Sequence, residues 1–154
     1  MKDAFEYPAK TSIKREDDRG YLEVLYENNT TILKRSFSRK GVFRGLHRQH
    51  KPYLQNKLIR VVDGAIIDFV VDVEKKDVQV ESTKITPESD WVLIDGRFAH
   101  GFYALEDTVF EYICDGAYAE DSEEAYSIVE YLCSLSFVDE IILSEKDQAA
   151  KPLL

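Results

Sequence analysis

Apolar residues in this chain come in short runs, among them YLEVLY, KLIRVV, AIIDFVVDV, STKIT and TVFEYI, and each run ends in a cluster of turn formers. The clusters are DDRG (17–20), ENNT (27–30), RKG (39–41), VDG (62–64), EKKD (74–77), PESD (87–90), IDG (94–96) and CDG (114–116). Runs rich in Val, Ile, Phe and Tyr at such close spacing predict many short strands, hence an all-β sandwich or barrel. Two places break the pattern. The acidic tract 120–132 reads as a short helix, and LSEKDQAA (143–150) reads as one helical turn opened by Ser144 with Asp147 three residues on. No repeat, low-complexity tract or linker divides the 154 residues, so one domain over 1–154 is expected.

The segment KLIRVVDGAIIDFVVD makes the sharpest local prediction. Asp63-Gly64 is a two-residue turn signal, and a primed turn there pairs Val62 with Ala65, Ile59 with Asp68 and Lys57 with Val70. Lys57, Ile59, Ile66, Asp68 and Val70 then share a face, with Lys57 and Asp68 as diagonal neighbours. A lysine and an aspartate among Ile and Val form either a surface ion pair or the wall of a polar pocket. Buried ion pairs add little net stability, so the pattern raises the pocket as a serious alternative.

Composition narrows the function. A net charge of -9 is a poor match to a nucleic-acid backbone, although a small phosphorylated ligand needs only a few local cations. With 44% hydrophobic and 12% aromatic residues the chain builds a core without staples. Cys114 and Cys133 have neither a disulfide framework nor metal-type spacing, and read as packed thiols of a reducing cytoplasm. No run reaches membrane-spanning length. A cytoplasmic protein with no membrane or nucleic-acid partner is expected.

Three histidines, His47, His50 and His100, raise the question of a metal. In one extended strand His47 and His50 point to opposite faces, which argues against a shared ion. His47 is then either a satisfied structural histidine or a general base. His100 sits between Ala99 and Gly101, whose lack of bulk lets backbone approach a ligand closely. Tyr112, Tyr118 and Tyr126 are, taken singly, ordinary packing tyrosines.

Read as a series, the segments are specific. VFRGLHRQ (42–49), KLIRVVDGAIIDFVVDV (57–73), FAHGF (98–102), FEYICDGAY (110–118) and LSEKDQAA (143–150), preceded by DDRGYLE (17–23), resemble in order and spacing the dTDP-4-dehydrorhamnose 3,5-epimerase family. The resemblance implies a cupin-type jelly roll and a homodimer with exchanged N-terminal strands. It implies a nucleotide-diphosphate 4-keto-6-deoxy sugar as substrate, inverted at C3 or at C3 and C5, without metal or other cofactor. Residue by residue, His47 matches the catalytic base, Asp147 its carboxylate partner, Lys57 the group at the keto oxygen and Tyr112 the acid on the opposite face. Arg44 and Arg19 match arginines that hold the diphosphate. Gln49, Asp68, His100 and Tyr118 match other pocket positions, with Asp68 expected to hold Lys57.

Those residue types suit the chemistry. A C–H beside a ketone becomes acidic only when the enolate is stabilised, which calls for a cation at the C4 oxygen. A base that titrates near neutrality removes the proton, and a separate protonated group returns one from the other side. The sequence also departs from the family pattern. Ile32 and Lys34 stand where a glutamine and an asparagine are usual, Val24 stands at a carboxylate position with Glu23 before it, and Arg97 adds a cation ahead of His100. A sugar 3,4-ketoisomerase on a similar jelly roll is the nearest enzyme alternative, but it tends to carry H-x-H where this chain has HRQH. A nucleotide-sugar-binding cupin without catalysis is the other alternative, and it has no need for both His47 and Tyr112.

Overall fold

The computed structural model describes residues 14–154, and the chain folds there into two six-stranded sheets. One sheet has the order β1 (Lys14–Asp17), β2 (Gly20–Glu27), β3 (Thr31–Ser38), β10 (Thr108–Asp115), β5 (Asn56–Asp63), β8 (Val92–Ile94). The other runs β12 (Lys151–Pro152), β11 (Glu123–Ser127), β4 (Phe43–Gln49), β9 (Ala99–Ala104), β6 (Ile66–Val71), β7 (Val80–Ile85). From β3 to β10 the chain alternates between facing sheets at every step except β6 to β7, which pair as a hairpin in the second sheet, as in the jelly roll that the resemblance implies. All eight turn clusters fall at strand connections.

Two cores separate the roles of the faces. Ile59, Val61, Ile66, Phe102 and Phe110 pack between the sheets and fill one end of the sandwich. Phe43, Leu46, Phe69 and Tyr103 lie on the back of the second sheet, covered by Leu132 of α1 (Val129–Cys133), by its N-cap residue Ile128 and by the chain that follows. Burial of one such side chain contributes about 1.5–3 kcal/mol. The other end of the sandwich therefore stays open.

The predicted hairpin at Asp63-Gly64 does not form. The turn exists, but β5 pairs with β10 and β8 while β6 pairs with β9 and β7, so the chain crosses there from one sheet to the other. Thr108 fixes the crossing: its hydroxyl donates to the Ala65 carbonyl and accepts from the Ala65 amide, each at 3.2 Å. Lys57 and Ile59 on one sheet, and Ile66, Asp68 and Val70 on the other, still face the interior, but from opposite walls. The acidic tract is likewise not one helix. Glu120–Ser122 is a single 3-10 turn, β11 follows, and only Val129–Cys133 is helical. The expected exchange of N-terminal strands concerns a second copy and a segment that includes residues 1–13, which lie outside the described residues; β1 pairs with β2 of its own chain.

Candidate active site

The open end of the sandwich is a cavity of about 530 Å³, within the range of small-molecule sites. Eight of the ten residues singled out in the sequence line it: Arg19, Arg44, His47, Gln49, Lys57, His100, Tyr112 and Tyr118. The other two, Asp68 and Asp147, sit directly behind the histidines.

The first wall is the inner face of β3, β10 and β5. The alternation of β10 turns Phe110, Tyr112 and Cys114 inward, and the register sets Tyr112 opposite Lys34 on one side and Ile59 on the other. Lys57 faces Cys114 in the next row. Among the described residues, neither the Tyr112 hydroxyl nor the Lys57 ammonium has a hydrogen-bond partner. Burial pushes the Tyr112 phenol well up and so keeps it protonated. Burial also lowers the Lys57 ammonium, with Cys114 opposing and Lys34 adding to the shift. Phe102 stacks on Phe110 at 4.6 Å between centroids and closes the floor of the cavity.

The second wall is built by β4 and β9. Arg44 and His47 differ by an odd number, so a regular strand sends them to opposite faces. The β4–β9 register slips between them, and the slip turns both into the cavity. Two glycines permit it. A Cβ on Gly45, whose φ is +114°, would lie 2.6 Å from the His100 carbonyl oxygen, and one on Gly101 would lie 2.4 Å from that of Arg44. His47 ends up directly across from His100.

Each histidine is held by a carboxylate. Nε2 of His47 meets Asp147 Oδ1 at 2.6 Å, and Asp147 Oδ2 accepts from the Gly45 amide at 3.2 Å. Asp147 lies on α2 (Glu145–Gln148), whose N-cap is Ser144 accepting from the Asp147 amide, as the sequence predicts. Burial raises the Asp147 carboxyl, but the His47 hydrogen bond and charge outweigh it and the net shift is downward. His100 Nε2 meets Asp68 Oδ1 at 2.7 Å. Asp68 therefore holds His100, not Lys57 as expected.

The remaining candidates have defined places. Arg44 is pulled down to about 10 by burial and by the charge of Arg19, and it donates to Ser38 Oγ and the Phe37 carbonyl. Arg19 grips Asp17 through Nε and Nη2. Gln49 spends its amide on Tyr53 and Ala117 carbonyls and the Ala119 amide, so it shapes the loop that carries Tyr118. Tyr118 donates to Glu123 at 2.7 Å, and Lys146 pairs with the same carboxylate. Arg97 turns away and bonds Asp95.

Sequence reading missed Glu123 because its tract looked helical; its pairing opposite Gln49 on β4 puts it at the rim. Lys34 stood out as a departure only. Its two-residue spacing from Ser36 and Ile32, both also lining the cavity, was the available signal.

Comparison with known proteins shows the family and the fold. A family model for dTDP-4-dehydrorhamnose 3,5-epimerase matches residues 10–154. The enzyme of that name from Methanothermobacter thermautotrophicus is 35% identical, over 89% of this chain and 84% of its own. Crystal structures of the enzymes from Sulfolobus tokodaii and Bacillus anthracis superpose with TM-scores of 0.66 and 0.71 at 32% and 29% identity. The first covers 97% of this chain and 94% of that one, the second 92% and 90%. The chain belongs to the dTDP-4-dehydrorhamnose 3,5-epimerase family of nucleotide-sugar epimerases.

Proposed function

We propose that this protein, acting as one catalytic domain, inverts C3, or C3 and C5, of a nucleotide-diphosphate 4-keto-6-deoxyhexose by proton transfer across the cavity. The observation that carries the reading is the division of labour between facing walls: His47 with its buried carboxylate on β4, and Tyr112 with Lys57 on β10 and β5. A sugar ring lying between them presents one face to each. His47 takes the proton beside the ketone and Asp147 stabilises the imidazolium. Lys57 meets the enolate oxygen, and Tyr112 delivers a proton to the other face. The phenolate and imidazolium then return to their resting states through solvent, so no net proton is gained or lost.

Relatives support the substrate class. The Bacillus anthracis structure holds TDP and PPi. The Legionella pneumophila enzyme, 28% identical with a TM-score of 0.70, was solved with dTDP-4-keto-L-rhamnose. Such a reaction feeds deoxysugars to polysaccharides, in the cytoplasm where the nucleotide sugars are made. Neither Cys114, buried, nor Cys133, exposed, is in a disulfide, which fits that compartment.

A homodimer belongs to the same reading. The outer face of the first sheet exposes Leu93 (69%), Val62 and Trp91 beside Arg60, an apolar patch suited to a second copy. Light scattering should give twice the chain mass, and Leu93→Asp should lower it.

The function is tested with dTDP-, CDP- and GDP-linked 4-keto-6-deoxy sugars in deuterated water, followed by NMR. Deuterium at C3, or at C3 and C5, of one donor is the expected result. No exchange at either carbon of any donor would overturn the proposal.

A further inference from the structure

The cations around the cavity differ in how they are satisfied. Arg19 has Asp17, Arg48 has Glu124 and Glu74, and Lys146 has Glu123. Lys34 has no carboxylate within 4 Å and no hydrogen-bond partner for its ammonium among the described residues. Its ammonium instead rests over two tyrosine rings that also line the cavity, 5.6 Å from the centroid of Tyr112 and 5.4 Å from that of Tyr118. It shares the wall with Lys57, so each cation raises the cost of the other. In a protein of net charge -9, Glu123 and Asp68 act on Lys57 only from a distance, and neither lysine of the pair has a carboxylate within 4 Å among the described residues.

A second, independent feature lies beside it. Lys34, Ser36 and Ser38 follow one another along the inner face of β3, a row about 13 Å long at roughly 3.3 Å per residue. At one end Arg44 is tethered to Ser38, and its Nη1 has no hydrogen-bond partner among the described residues. In the middle, Ser36 lines the cavity, and its buried Oγ has no hydrogen-bond partner among the described residues. A buried hydroxyl left without a partner costs about 1–3 kcal/mol, and a ligand oxygen at this point removes that cost. The row therefore reads cation, orphan donor, cation.

We propose that Lys34 is a diphosphate-binding residue of this site, acting with Ser36 and Arg44, so that a charged contact anchors the nucleotide where Lys34 departs from the family's neutral amide. The inference rests on the nucleotide-sugar reading above and adds to it which residue of this chain fixes the phosphate. Two negative phosphate groups neutralise Lys34 and Arg44 and leave Lys57 for the ketone. The seat over Tyr112 and Tyr118 pre-orders the lysine, which reduces the entropy lost on binding.

Calorimetry of wild type, Lys34→Gln and Lys34→Arg with dTDP, inorganic pyrophosphate and thymidine tests this. Lys34→Gln should bind dTDP and pyrophosphate on the order of tenfold more weakly, as expected for one charge-assisted contact, and thymidine as wild type does. Lys34→Arg should recover most of the loss. In turnover, KM should rise by a larger factor than kcat changes. Equal dTDP affinity in wild type and a folded Lys34→Gln would overturn the inference and leave the proposed function standing. So would a fall in kcat at unchanged KM, which would place Lys34 in the chemistry instead. A wild type that binds neither dTDP nor pyrophosphate would overturn both.

Discussion

The two walls of the cavity handle their polar groups in opposite ways. On β4 and β9 each histidine is locked to a carboxylate that is itself buried, Asp147 for His47 and Asp68 for His100. On β3, β10 and β5 the polar heads of Lys34, Lys57 and Tyr112 reach the cavity without hydrogen-bond partners among the described residues, and burial shifts Lys57 and Tyr112 away from ionisation. A group already tied to a carboxylate has a fixed orientation and a stabilised charged form, as a base requires. A group with no partner keeps its hydrogen bond for whatever enters. The walls thus divide proton removal from charge stabilisation and proton return.

Removing the base wall's working group should cost most. His47→Ala is expected to lower kcat by about 10²–10⁴-fold, measured by NMR on the keto-sugar donor, while the unfolding midpoint changes little. If the two histidines of this wall were equivalent, His100→Ala would cost as much. The account expects His100, with 7% of its side chain exposed against 28% for His47, to affect binding and stability more than turnover.

On the opposite wall, Lys57→Met should reduce kcat by about 10²–10³-fold, the loss typical of one oxyanion donor. The same residue sets a pH signature. Its folded-state value is lowered by burial, so the ammonium disappears as pH rises through a point below the usual lysine range. Turnover should fall along that alkaline limb. Lys57→Arg should move the limb upward, because a guanidinium stays charged.

Smaller effects separate positioning from chemistry. Asp68→Asn withdraws the charge behind His100 and should cost about 1–3 kcal/mol of stability, seen in urea unfolding. Smallest of all should be Glu111→Gln on the outer face. Glu111 accepts from both Arg35 and Arg60, half-exposed guanidinium groups, and the change should cost about 1 kcal/mol at neutral pH. Burial raises this carboxyl, but the two arginines outweigh it and leave a lowered value. The contribution is therefore present above the unfolded value of 4.5 and fades as pH falls through the lower folded one. The stability difference between wild type and Glu111→Gln should close at acid pH.

Local chemistry in the sequence carried much of this architecture. Turn residues marked every predicted connection, and Ser144 with Asp147 marked the helix start that delivers a carboxylate to His47. What the sequence hid were choices made between distant segments. Asp63-Gly64 is compatible with a hairpin, yet β10 and β9, far along the chain, offer β5 and β6 their partners. Strict alternation separates Arg44 from His47, and only the close approach of Gly45 to Gly101 shows where the count slips. Glu123 and Glu124 look helical by composition, but pairing with β4 and the Arg48 bond to Glu124 make them strand.

The division between walls is tested most directly by following deuterium from solvent into the sugar with Tyr112→Phe and His47→Ala. With Tyr112→Phe, His47 should still remove the proton and return deuterium to the same face, giving labelled sugar of unchanged configuration. His47→Ala should neither label nor invert it. Inversion by Tyr112→Phe at the wild-type rate, or labelling by His47→Ala, would contradict the account.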